Sequence, residues 1–174
     1  MPNSGDAWLY TLDAIGRFFE RVLSGEKVTD EFLGGYQRDA ETLGRRTAQM
    51  HLALASRSDI PAFAPEPITP HYQRSIYQHI RTQSVDTLQL LRRRAKGVAE
   101  AEDLLARESD LQKKIRSVLD GKISGQRIRT HGDYHLGQVL YTGNDFAIID
   151  FEGEPSRPLS ERRIKRSALR DVAG

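Results

Sequence analysis

The 174-residue sequence contains no cysteine. Disulfides and thiolate-ligated metal sites are thereby excluded, while the redox compartment stays open. No apolar run approaches the ~18 residues that a membrane-spanning helix requires. The N-terminus, Met-Pro-Asn-Ser-Gly-Asp, lacks a basic stretch followed by an apolar one. No signal peptide is therefore visible, and a cytoplasmic location is expected. Three loop signatures are missing as well: a G-x-G-x-x-G loop, a Walker lysine loop and a Val-Ala-Ile-Lys strand. What is present, 38% hydrophobic and 29% charged residues, is a globular composition long enough for one domain with a core.

The net charge of +2 hides an asymmetry. Residues 157–174 carry six cations (Arg157, Arg162, Arg163, Lys165, Arg166, Arg170) against Glu161 and Asp171, whereas the preceding residues are net −2. A basic end of this kind either contacts polyanions or forms a solvated helix face, and the second reading is favoured here.

Most of the chain reads as helix. Over residues 6–24, Trp8, Leu12, Ile15, Phe19 and Val22 recur at steps of three and four, with Asp6 as N-cap and Ser24-Gly25 as stop. A second helix, capped by Asp30, carries Leu33, Tyr36, Ala40, Leu43, Thr47, Met50 and Leu54. A coiled coil gives this pattern, as does the central helix of a bundle, which is preferred. Gly34, Gly35 and Gly44 suggest close packing there. Pro61, Pro65, Pro67 and Pro70 make an extended loop of residues 57–70. Helix resumes over residues 71–107, with a break at Gly97 and Arg92-Arg93-Arg94 on a solvated face; Ser109 caps a short helix that ends at Asp120-Gly121.

After Gly125 the texture changes. Residues 126–130 read as a strand, and Val139–Thr142 and Phe146–Asp150 as a hairpin across Gly143-Asn144. Ser160 is expected to cap a last helix running toward Val172. The fold class is thus α+β, mainly α: a helical bundle with one β-hairpin.

The chemistry lies around that hairpin. His131-Gly132-Asp133-Tyr134-His135-Leu136-Gly137-Gln138 precedes its first strand, and Asp150-Phe151-Glu152-Gly153-Glu154 follows its second. A hairpin returns the chain to its starting edge, so Asp133, Gln138 and Asp150 can converge on one site. Its donors are oxygen-rich, which suits Mg²⁺ rather than zinc. Phosphoryl transfer needs such a set: one Asp to take the acceptor's proton, an amide and a second Asp to hold the metal on the nucleotide phosphates. The protein-kinase pattern H-R-D-x-x-x-x-N followed by D-F-G has the same spacing. Asp133 is therefore the candidate base, and Gln138 and Asp150 the candidate Mg²⁺ ligands. His131 is expected to brace the loop. Tyr134 and His135 face either the acceptor or the core, and Glu152 is either a further metal or sugar ligand or a surface acid.

The His131-Gly132-Asp133 version resembles the aminoglycoside phosphotransferase-like kinases. With Gln138, the segment Ile149–Pro155, Arg157–Arg163, the tail Lys165–Gly174 and the opening Asn3–Trp8, the sequence resembles the maltokinases, which are often fused behind a trehalose synthase. That resemblance implies a protein-kinase-like C-terminal lobe over residues 1–174, with the N-terminal ATP-covering lobe outside the chain. It also implies ATP and Mg²⁺ as co-substrate and cofactor, and maltose as acceptor giving maltose 1-phosphate. The missing lobe and a trehalose synthase would be its partners, and the fragment alone would be inactive. The alternatives are another small-molecule kinase of the same superfamily, acting on an aminoglycoside, choline or another sugar, and a non-catalytic helical module whose basic end contacts nucleic acid. Neither nucleic acid nor a membrane is the expected partner.

Overall fold

The structure, a computed structural model, describes residues 5–27, 29 and 33–173. The expected cap Asp30, the opening Asn3-Ser4 and the terminal Gly174 lie outside the described residues. The fold is mixed α/β and mainly helical, and its contacts divide it into two units: residues 1–66 with 127–174, and residues 67–126. Among the described residues no helix is long and apolar enough to cross a membrane.

The first unit begins with α1, Ala7–Leu23, capped as expected: the Asp6 carboxylate accepts the Leu9 N–H at 2.8 Å. Its apolar stripe does not face inward. Trp8, Leu12, Ile15 and Phe19 are all exposed, Phe19 to 56%, and the buried residues are Ala7 and Ala14. Periodicity defines a face, but contact is decided by what can approach. Alanines let the helix lie close to the hairpin, and beside them Tyr10 stacks on Tyr141 with ring centroids 4.0 Å apart. The Tyr10 hydroxyl donates to Asp39, and burial together with that bond holds its phenol well above the ordinary value.

Helix α2, Gly35–Leu54, starts after Gly34, which has φ 49 and no side-chain cap. Leu33 therefore precedes the helix, and Thr47 and Met50 are its buried positions. A Cβ on Gly35 or Gly44 would meet nothing within 4 Å, so these glycines do not serve close packing. Instead, α2 packs on the hairpin, where Arg46 grips Asp145 through two bonds of 2.7 and 2.6 Å.

The hairpin pairs β3, Val139–Tyr141, with β4, Phe146–Ile148, in the register Val139↔Ile148, Leu140↔Ala147, Tyr141↔Phe146. Both strands are shorter than the pattern suggests, because residues 142–145 form a four-residue loop closed by Thr142 N–H to Asp145 O at 2.9 Å. At the other end one more bond, Ile149 N–H to Gln138 O at 3.0 Å, carries the pairing to the threshold of Asp150. Ala7, Val139 and Phe146 are the buried centre, with Leu43, Leu136 and Ile148 packed around them.

The expected single last helix is two one-turn helices, α6 (Leu159–Arg162) and α7 (Leu169–Val172). Arg166 lies between them and exchanges both backbone bonds with Ile128 at 2.9 Å, which forces the chain to extend there. Ser160 consequently sits inside α6, whose N-cap is Pro158. Nor is the basic end a solvated face throughout. Lys165, its side chain only 10% exposed, donates to Pro61 O (2.6 Å), Ala64 O (2.7 Å) and Glu66 Oε1 (2.8 Å).

That ammonium pins the proline-rich loop and, through its hydrogen bond, holds the Glu66 carboxyl below the usual range. Lys165→Met is expected to lower stability by about 1–3 kcal/mol at neutral pH. A depressed carboxylate contributes stability above its unfolded value and loses it as pH falls through the glutamate range. Urea denaturation of parent and variant should therefore show the deficit shrinking at pH ~3, though not vanishing, because the two carbonyl bonds do not titrate.

The chain leaves the first unit at Glu66 and returns at Arg127, in the two-residue strands β1 (Glu66–Pro67) and β2 (Gln126–Arg127), which pair. In the second unit, α3 (Pro70–Arg94) is capped by Thr69 with Pro70 at its first turn, so the helix claims a proline expected in the loop. Gly97, with φ 78, turns the chain into α4 (Ala99–Ala106). Next comes α5 (Glu108–Arg116), which begins after Arg107 without a side-chain cap and contains Ser109 rather than being capped by it. Leu88, Ala101 and Ile115 are buried, and Gln73 ties α3 to the Val118 and Gly121 carbonyls at 2.6 and 2.5 Å.

Candidate active site

The loop from His131 to Gln138 is held from beneath by a residue the motif reading did not single out. Asp171, on α7 and 3% exposed, accepts the His131 N–H on one carboxylate oxygen (2.9 Å) and the Gly132 N–H on the other (3.0 Å). His51 of α2 donates a third bond from Nε2 at 2.9 Å. No spacing signal could have found this, since Asp171 stands forty residues from the loop in a basic stretch.

The His131 ring is buried. Its Nε2 bonds to the carbonyl of Ile149 at 2.8 Å, so Nε2 carries the proton, and Nδ1 faces the Asp133 N–H at 3.4 Å. His131 thus joins the loop before the hairpin to the strand end after it. Its ring stacks obliquely on Phe151 with centroids 4.9 Å apart. Gly132 has φ 88, and a Cβ there would lie 3.4 Å from Gly153 Cα. The left-handed turn is what favours glycine here, since a Cβ at that distance makes an ordinary contact.

The hairpin delivers the expected convergence in part. Gln138 Nε2 donates to Asp150 Oδ2 at 3.0 Å, across twelve residues of sequence. Asp150 has φ 61 and is the only non-glycine residue with positive φ among those described. Such backbone is uncommon outside glycine and is tolerated best by Asp and Asn. Asp133 is not bonded to that pair. It lines a cavity of about 410 Å³ with Tyr134, His135, Glu154 and Arg170, and among the described residues its carboxylate has no hydrogen-bond partner.

The undecided residues separate clearly. Tyr134 bonds Thr47 Oγ1 through its hydroxyl at 2.6 Å and packs on the hydrophobic cluster, and burial raises its phenol above the ordinary value. It therefore leans to the core. His135 is exposed at the cavity mouth, its Nδ1 accepting the Gly137 N–H at 3.1 Å and shaping the 3₁₀ turn that presents Gln138. Glu152 is exposed.

Among the described residues no three His, Asp or Glu side chains gather as a metal cage. The available donor set is one carboxylate and one amide oxygen. Mg²⁺ keeps several waters and takes one or two carboxylates plus substrate phosphates, so this pair fits it when a nucleotide supplies the rest.

A mixed, mainly helical fold bearing this loop and hairpin is that of the kinase-like phosphotransferases. Residues 11–153 match the phosphotransferase enzyme family. The chain belongs to that family. It is 30% identical over 176 residues to a glucosamine kinase of Streptacidiphilus jiangxiensis, and 31% identical over 177 residues to one of Mycolicibacterium smegmatis. All of this chain aligns in both cases, with 35% and 38% of the relatives. A solved structure of a glucosamine kinase in complex with glucosamine, ADP and inorganic phosphate superposes with TM-score 0.75 at 28% identity, over the whole of this chain and 39% of that one. The chain thus spans well under half the length of these relatives.

These relatives overturn the maltokinase reading, and with it maltose as acceptor and the trehalose synthase fusion. Two of the residues that suggested it serve the scaffold. Arg162 binds the carbonyls of Arg157 and Pro155, both at 2.8 Å, and Lys165 pins the proline loop. Such residues report how the loop is held, not which sugar enters.

Proposed function

We propose that this chain is part of an ATP-dependent sugar kinase of the glucosamine-kinase kind, which moves the γ-phosphoryl group of ATP to a hydroxyl of an amino sugar. The observation that carries this reading is the Gln138–Asp150 contact at the base of a hairpin whose preceding loop presents an unengaged Asp133. Asp133 orients the acceptor hydroxyl and takes its proton. Gln138 and Asp150 hold Mg²⁺, which neutralises charge on the nucleotide phosphates. His131 keeps the loop in register with the strand end. The 174 residues correspond to part of a C-terminal lobe, and the phosphate-covering lobe is sought outside them, because no glycine-rich loop occurs within them.

The test grafts this chain in place of the matching segment of a glucosamine kinase and follows glucosamine-dependent ADP release. A graft that folds and binds ADP yet releases none in response to glucosamine would overturn the proposal. In the active graft, Asp150→Asn is expected to raise the Mg²⁺ midpoint at least tenfold, since even outer-shell losses cost about 10–100-fold in metal affinity. An unchanged rate and midpoint in a Mg²⁺ titration would remove Asp150 from the metal site.

A further inference from the structure

Beside the cavity of Asp133, the chain folds four arginines around one small cleft: Arg157, Arg162, Arg166 and Arg170, with Glu154 and Glu161 as the acids among the described residues that line it. We propose that this cleft binds a phosphate group. The inference does not depend on kinase activity.

Four cations line the cleft with two carboxylates. Glu161 reaches Arg157 Nη1 only at 3.5 Å, and Glu154 accepts from Ser156 at 3.0 Å. The Arg162 guanidinium is fixed by the Pro155 and Arg157 carbonyls, neutral acceptors that orient it and leave its charge in place. Arg166 is positioned by its backbone bonds to Ile128, so its placement does not depend on its side chain. Most telling is Arg157 Nε, which is buried without a hydrogen-bond partner among the described residues. A buried donor left unpaired is costly, and an oxyanion is the acceptor that planar guanidinium groups fit.

The size limits the ligand. The enclosed space is about 10 Å³, roughly one water, so a phosphate oxygen can enter while the rest of the group lies at the rim. Neither a base nor a sugar ring can be enclosed. The cleft shares Gly132, Glu154 and Arg170 with the cavity of Asp133, which places the anion at the border of that cavity. Free orthophosphate and the phosphate of a monoester carry the same chemistry.

Calorimetric titration of the 174-residue chain with orthophosphate, and separately with glucose 6-phosphate, at ionic strength held constant with sodium chloride, tests the proposal. Saturable one-to-one binding is expected, weakened about tenfold by Arg157→Gln and by Arg166→Gln. Arg93→Gln, on the exposed end of α3, should leave it unchanged. Tighter binding of the monoester identifies it as the source, and equal or weaker binding identifies free phosphate. If neither anion saturates, or if folded Arg157→Gln and Arg166→Gln both bind like the parent, the proposal is wrong. Arg166→Gln carries the decision if Arg157→Gln does not fold.

Discussion

Asp133→Asn in the active graft should lower kcat by about 10²–10⁴-fold, the usual loss when a positioned base is removed. The expected change is confined to chemistry for a structural reason. The Asp133 carboxylate lines its cavity without engaging another side chain, so an isosteric amide breaks no protein contact. Its backbone N–H still faces His131 Nδ1, and the loop keeps its anchors on Asp171. Nucleotide affinity and the Mg²⁺ midpoint should therefore stay near the parent's, in contrast to Asp150→Asn. Steady-state ADP release and an ADP titration on the same preparation separate the two effects. Near-normal kcat would exclude Asp133 as the base.

Asp171→Ala should be the most destabilising single change in the first unit, at about 3–5 kcal/mol, the usual loss when one partner of a buried charged contact is removed. Three donors lose their acceptor at once: the His131 and Gly132 N–H groups and His51 Nε2. Against a domain stability of about 5–15 kcal/mol, this brings the chain close to unfolding. Asp171→Asn should be little better, because an amide offers one oxygen where two N–H groups need one each, and turns its NH₂ toward a donor. Urea denaturation gives the magnitude, and amide exchange at Gly132 locates the change. A loss below about 1 kcal/mol would mean that other groups hold the loop.

What the sequence made legible was local. The hairpin and the offsets from Asp133 to Gln138 and on to Asp150 are short-range patterns, and Asp6 and Gly97 act on their immediate neighbours. What it hid was set by distant partners. The Ile128–Arg166 bridge divides a stretch that reads as one helix, and nothing in residues 159–172 announces it. The α1 stripe was visible but not its orientation, because Ala7 and Ala14 pack inward more closely than Trp8 or Phe19 can. Asp171 looked like one acid in a basic tail, and its role exists only once α7 lies under the loop. The acceptor sugar was misread because Arg162 and Lys165, distinctive as part of a string, spend their side chains on carbonyls and an acid of the scaffold.

Arg127 and Glu66, 2.6 Å apart, help the paired strands β1 and β2 fasten the exit and return of the chain. Everything between them is then an excursion whose length hardly matters to the fold that carries Asp133. Loop closure costs only about 0.6 kcal/mol more for each doubling of length. Helices α3, α4 and α5 thus form a unit with its own internal contacts, entered and left through one fastened pair of strand ends.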